Sequence, residues 1–190
     1  RSTPGYLAGE ISPGEWQVWL GLHRIPPEGV RYSLEITFSD KASEVSPDPA
    51  HQEPESFERP PARDLPTVDG RRWYAGDLHA HTEHSDGALG IRGLASLAAR
   101  SGLDFLAVTD HNTISHYPFL EKESAATGVT LIPGQEVTTE LGHANVWGSP
   151  AWIDFRRPAS EWMKQAEKSG ALFSVNHPLA GDCAWRHHLT

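Results

Sequence analysis

From Trp73 onward, short apolar runs alternate with amphipathic stretches, and His or carboxylate residues gather where the apolar runs end. Ile91, Leu94, Leu97 and Ala98 recur at helical spacing and Gly102 closes that helix. Phe105-Leu106-Ala107-Val108-Thr109 reads as a buried strand. A helix near 115–127 leads to Val129-Thr130-Leu131-Ile132, then Glu136-Val137-Thr138-Thr139, then Ala144-Asn145-Val146-Trp147. A further helix near 159–168 precedes Ala171-Leu172-Phe173-Ser174-Val175. Strands separated by helices predict a parallel α/β architecture with right-handed crossovers. Four or five such strands are fewer than a closed eight-stranded barrel needs.

Upstream the pattern is different. Glu15-Trp16-Gln17-Val18-Trp19-Leu20 and Arg31-Tyr32-Ser33-Leu34-Glu35-Ile36-Thr37-Phe38 alternate polar and apolar, with Pro26-Pro27-Glu28-Gly29 as turn chemistry between them. This predicts a small β-rich region over residues 1–40. Residues 41–71, with Pro47, Pro49, Pro54, Pro60, Pro61 and Pro66 among charged residues, have a linker's composition. The α/β domain then occupies 72–190.

The chemistry lies in where the polar residues fall. Active sites of parallel α/β folds are built at the C-terminal ends of strands. Asp77-Leu78-His79-Ala80-His81 places two imidazoles on one side of an extended chain, and Asp86 follows before the first helix. Asp110-His111-Asn112 comes after the second strand, and Pro133-Gly134-Gln135-Glu136 sets a carboxylate after a turn. Gly142-His143-Ala144-Asn145 and Asn176-His177-Pro178 complete the series. His79, His81, Asp86, His111, Glu136, His143 and His177 are therefore the candidate metal ligands. Imidazole plus carboxylate suits Zn, Mn or Fe, and the number of donors calls for two divalent ions with Glu136 as the bridge. Asp110, His143 and His84 are candidates for protonating a leaving group, whereas His23, His51 and His116 read as surface residues. The tryptophans read mostly as core or interface rings, with Trp147 and Trp185 candidates to line a substrate mouth.

Composition excludes several classes. A net charge of -9 argues against a nonspecific binder of nucleic acid or anionic membrane. No apolar run approaches the roughly 20 residues a membrane span requires. Cys183, the sole cysteine, rules out an intrachain disulfide framework and a multi-cysteine zinc ribbon. There is no Walker pattern and no Gly-x-Gly-x-x-Gly, and Ser85 lacks a nucleophile-elbow context. The expected partner is a small-molecule ester, with no nucleic acid or membrane; a cytoplasmic location is favoured and the oligomeric state is open.

As an ordered set, Gly76-Asp77-Leu78-His79-Ala80-His81-Thr82 with Ser85-Asp86-Gly87, Val108-Thr109-Asp110-His111-Asn112, Pro133-Gly134-Gln135-Glu136 and Asn176-His177-Pro178 resemble the motifs of the PHP (polymerase and histidinol phosphatase) superfamily of metal-dependent phosphoesterases. Pro133-Gly134-Gln135-Glu136-Val137-Thr138-Thr139 followed by Gly142-His143-Ala144-Asn145 is most similar to the CehA/McbA-type metallohydrolases, which include enzymes cleaving aryl carbamate esters. The resemblance implies a distorted (β/α)7 barrel with metals at its C-terminal mouth. It implies that His79 and His81 hold one ion and that Glu136 bridges to a second. It places His111 and His177 on that second ion with help from His143, and gives Asp86 a metal-site role. The family's closing Asp-x-His does not follow Asn176-His177-Pro178, so the barrel is expected to be partial, with the remainder on a longer chain.

The expected activity is hydrolysis of a phosphate ester by a metal-bridging hydroxide. A carbamate or carboxylic ester is the alternative substrate, and a non-catalytic, metal-stabilised binding domain is the alternative of another class.

Overall fold

The computed structural model describes residues 3–7, 9–20, 25–38, 59–61, 64–148 and 151–188. Most of the expected linker (41–58, with Pro47, Pro49, Pro54 and His51) and His23 lie outside these residues. Near the end of that linker, β1 (Thr67–Val68) and β2 (Arg71–Arg72) form a short antiparallel hairpin. Asp69 and Gly70 at its tip take φ of 50° and 72°, as the favoured two-residue hairpin turn requires.

The main sheet contains β3 (Gly76–Ala80), β4 (Phe105–Val108), β5 (Thr130–Thr139), β6 (Gly142–Trp147) and β7 (Leu172–Val175), side by side in that order. Helices α1 (Ile91–Arg100), α2 (Tyr117–Thr127) and α3 (Ala159–Lys168) join or flank the strands. β3, β4 and β5 are parallel, whereas β6 runs antiparallel to both its neighbours. The sheet is thus a mixed, curled half-barrel and not the wholly parallel one that the alternation predicts. The cause is local: only Glu140 and Leu141 separate β5 from β6, enough for a hairpin and far too few for a crossover.

β5 corrects a second expectation. Pro133-Gly134 is not a turn; the strand runs through it, pairing over 130–133 with β4 and over 134–139 with β6. A Cβ at Gly134 would meet Thr109 Cγ2 at 2.8 Å and Trp147 Cδ1 at 3.0 Å, so only glycine lets the strand pass between them.

Two apolar clusters hold the layers together. Ile91, Ala95, Ala98 and Ala99 of α1 pack with Leu106, Val108, Leu120, Val129 and Leu131, gluing α1 and α2 to β4 and β5. Val137, Val146, Ile153, Ala159, Trp162 and Ala166 form the second cluster, between α3 and β5–β6. Trp162 is its largest member, buried to 1% exposure with Nε1 donating to Asp154 O at 3.0 Å. His116, expected at the surface, is fully buried. Among the described residues of 6–38 there is no strand, and Trp16, Val18, Trp19, Leu34, Ile36 and Phe38 are exposed. Alternating residues make a strand only where a neighbour takes their hydrogen bonds and an apolar surface covers one face. No helix among the described residues is long and apolar enough to cross a membrane.

Candidate metal centre

β3 and the residue that follows it deliver the first pair of candidate ligands. Because side chains alternate along an extended chain, His79 and His81 face the same way, and their Nε2 atoms lie 3.1 Å apart. The turn that follows is closed by Ser85 N and Gly87 N donating to Thr82 O. Gly87 is obligatory there, since a Cβ would sit 2.3 Å from His81 O. The turn brings Asp86 to 3.9 Å from His81 Nδ1 and 3.6 Å from His111 Nε2, with the carboxylate itself exposed.

The loop after β4 continues the pairing of β4 with β5. Glu136 N donates to Asp110 O, and Asn112 N donates to Glu136 O. This zips His111 directly beside Glu136. Asn112 and His177 hold positive φ, 52° and 25°, sparsely populated conformations at the two loops that carry imidazoles. His143 arrives differently from the others. It stands at the N-terminal end of β6, and the antiparallel direction of that strand returns it to the rim where β3 and β4 end.

Glu136 is fully buried, and its two oxygens divide the cluster. Oε2 lies 3.1 Å from His79 Nε2, 3.3 Å from His81 Nε2 and 3.1 Å from His111 Nδ1. Oε1 lies 3.2 Å from both His143 Nδ1 and His177 Nε2 and accepts from Asn176 Nδ2 at 2.8 Å. Burial alone would raise the pKa of this carboxyl. Close contacts with His143, His79, His81 and Asn176 outweigh it and hold the group ionised well below the usual carboxylate range. His81, whose burial opposes protonation, is pushed up on balance by Glu136, Asp86 and Asp110. His111 is pushed down, chiefly by burial, with His81 and His143 adding to the effect against the pull of Glu136 and Asp86.

All seven expected ligands therefore converge on one rim. Within it His111 groups with His81 and Asp86, and with Glu136 and His143, whereas His177 groups with His143 and Cys183. Asp110 is placed elsewhere. Fully buried, it accepts from Thr82 N and Oγ1 at 2.7 Å and from Ser85 Oγ at 2.6 Å, and faces His116 Nδ1 at 3.2 Å. It braces the His81–Asp86 turn from behind. His84 is engaged with Ser115 Oγ at 2.7 Å, and Trp147 is tied to the backbone of β3 through Leu78 O. Sequence reasoning passed over Asn176, Thr138 and Cys183. Thr138 was findable, because it lies two residues beyond Glu136 on the same face of β5 and sits 2.5 Å from His111 Nδ1.

These donors fit divalent cations. The buried Glu136 Oε2 has no well-aligned hydrogen bond although three imidazoles crowd it, which is what a carboxylate arranged for a cation looks like. Nitrogen and oxygen donors in this proportion match zinc, manganese or iron.

Fold and site together define a mixed α/β domain with a histidine-rich metal centre at its rim. A family model for the PHP domain matches residues 77–176, and the chain belongs to that family. It is similar to the 5'-3' exoribonuclease Rnm of Escherichia coli, 38% identical over 134 residues that cover 60% of this chain and 46% of that protein. The corresponding exoribonuclease of Salmonella typhimurium is 35% identical over 85 residues, 44% of this chain and 29% of that one. The chain thus spans less than half the length of these relatives. A Bacteroides vulgatus two-domain protein containing a predicted PHP-like metal-dependent phosphoesterase shares the fold, with a TM-score of 0.53 and 24% identity, covering 65% of this chain and 40% of that one.

Proposed function

We propose that this chain carries the metal centre of a hydrolase that cleaves a phosphate ester, and that its five strands belong to a distorted (β/α)7 barrel. The observation that carries the reading is the buried Glu136 carboxylate, with imidazole nitrogens of His79, His81 and His111 on one oxygen and those of His143 and His177 on the other. In this reading His79 and His81 serve one ion, His143 and His177 the other, and Glu136 spans both. Asp86 and His111 Nε2 face each other at 3.6 Å and side with His81, although the family resemblance sets His111 on the second ion. Two bound divalent ions would supply Lewis acidity and a water deprotonated near neutral pH.

The chain's own residues hold the donors and set their charge. Glu136 stays ionised; Asn176 and His143 fix the direction of Oε1; Asp110, through Thr82 and Ser85, positions the turn that carries Asp86. Asp110 is closed off by these donors and suits positioning better than proton delivery. His143, the other expected acid, is a buried neighbour of Glu136 and suits ligation.

The substrate expected from composition is a small ester, given the net charge of -9. The exoribonuclease names of the relatives bring a nucleic-acid phosphodiester into the comparison, and the CehA/McbA resemblance brings an aryl carbamate. The test is turnover of an aryl phosphate, a 5'-phosphorylated oligoribonucleotide and an aryl carbamate by the full chain loaded with Zn, Mn or Fe. Hydrolysis of a phosphate substrate that chelation and Glu136→Gln both abolish supports the proposal. Cleavage of the carbamate alone moves the assignment to the alternative ester class. Metal-dependent stabilisation with no turnover of any ester favours the non-catalytic binding domain.

A further inference from the structure

Beyond the expected ligands, one more metal donor reaches the rim. After His177 the chain does not leave the site. Ala180 N donates to His177 O at 2.9 Å, Cys183 N donates to Ala180 O at 2.9 Å, and the 3-10 turn Gly181–Cys183 folds back toward the imidazoles. The far side of this return is locked as well. Trp185 N donates to Pro178 O at 3.0 Å, Arg186 N donates to Leu141 O at 2.7 Å, and Gly142 lies so close that a Cβ there would meet Trp185 Cα at 2.8 Å. Cys183 is thus pinned between the His177 loop and the start of β6, where His143 stands.

The result is a three-donor cluster. Donor atoms of His143, His177 and Cys183 all lie within 4.8 Å of one another. The two imidazoles share Oε1 of the fully buried Glu136, so the thiol meets donors already gathered around an anion. Nothing in the carboxylate–imidazole chemistry of the proposed function uses this sulfur.

We propose that Cys183 is a metal ligand, completing with His143 and His177 a His2Cys subsite for a borderline-soft divalent cation such as zinc. The inference rests on the metal-centre reading above and sharpens it. A thiolate donor favours zinc or cobalt over manganese or magnesium, whose preferred donors are oxygen atoms. Binding replaces the thiol proton by the metal, so each ion taken up at this subsite releases that proton to solvent.

The experiment uses the full chain and two probes. In the first, cobalt(II) is titrated in and followed by absorption. The expected result is visible ligand-field bands together with a near-ultraviolet thiolate-to-cobalt charge-transfer band, the latter lost in Cys183→Ser while the visible bands persist. In the second, alkylation of the chain's sole cysteine by iodoacetamide is timed with and without zinc, and zinc is expected to slow it at least about tenfold while manganese leaves it unchanged. Visible bands without the charge-transfer band, or alkylation indifferent to zinc while zinc binds, would overturn the assignment of Cys183 and leave the metal centre standing. No cobalt or zinc bound at all would overturn the metal centre itself, and this proposal with it.

Discussion

Asn112 and Thr138 exchange two hydrogen bonds: Asn112 Nδ2 donates to Thr138 O at 2.9 Å, and Thr138 N donates to Asn112 Oδ1 at 2.8 Å. An amide side chain here imitates a strand residue, extending the pairing of β5 past the end of β4. His111 sits immediately before it and takes its position from this extension. Asn112→Ala removes both bonds and leaves alanine at φ 52°, a left-handed conformation that asparagine tolerates better. We expect stability to fall by about 1–3 kcal/mol and zinc affinity by at least about tenfold. Urea unfolding and isothermal titration read the two effects, and an unchanged affinity would detach His111 from this brace.

Asp110 offers a sharper choice between roles. As a general acid it would be dispensable for folding; as the brace seen here it holds Thr82, Ser85 and His116 at once. His116 in turn contacts Val108 O and Gly134 O at 3.1 Å, linking the ends of β4 and β5. Asp110→Ala strands these buried donors, and we expect a loss of about 3–5 kcal/mol in urea unfolding of the metal-free protein. A variant as stable as the parent but slow only toward poor leaving groups would restore the acid role.

Metal uptake should depend on pH with a predictable sign. Ligands bind deprotonated. Glu136 is ionised far below neutrality and His111 is pushed down by burial, so both are ready at mildly acidic pH. His81 is the exception, held protonated above its ordinary value of 6.5 by Glu136 in spite of its own burial. In Cys183→Ser, which takes the thiol proton out of the balance, zinc affinity is therefore expected to rise with pH through and somewhat beyond 6.5, then level off, with one proton released on the rising limb. Competition titrations between pH 5.5 and 8.5 test this, in steps of about half a unit, the range over which histidine changes charge. A flat profile would remove His81 from the ligand set.

How much of this was written in the sequence depends on the range of the interaction. The amphipathic helix at Ile91–Arg100 and the strands at Phe105–Val108 and Leu172–Val175 follow from periodicity, which neighbouring residues set. The seven candidate ligands were legible because most fall at or just past a strand end in a recognisable motif, Glu136 in the middle of β5 being the exception. The direction of β6 is local too, since Glu140 and Leu141 suffice only for a hairpin, but the strand–helix alternation of the rest of the domain masks that spacing. Pro133-Gly134 looked like a turn because both residues usually break strands; here the crowding of Thr109 and Trp147 makes glycine the residue that fits. The burial of His116 and Asp110 was equally hidden, because each buried polar group is made tolerable only by the other and by Thr82 and Ser85. Exposed apolar residues such as Ile36 and Phe38 show the converse, a strand pattern without a partner among the described residues.

Thr138 makes the most exacting prediction. Its hydroxyl donates to Glu136 O at 3.3 Å, so the 2.5 Å contact with His111 Nδ1 must be one in which the ring nitrogen donates. That assignment, made from the hydrogen-bond network, places the His111 proton on Nδ1 and leaves Nε2, on the Asp86 side, as the nitrogen able to bind a cation. Thr138→Val keeps the β-branched shape that suits a strand and deletes only the hydroxyl. With the tautomer no longer fixed, zinc affinity is expected to fall about 10–100-fold. Nitrogen-15 spectra of the imidazoles would show whether the Nδ1–H form of His111 loses its dominance. Thr138→Ser retains the hydroxyl and should recover most of the affinity. If Val binds zinc as tightly as the parent, the hydroxyl does not choose the ligating nitrogen. If Ser binds as weakly as Val, the loss comes from packing around β5 and not from the proton on His111.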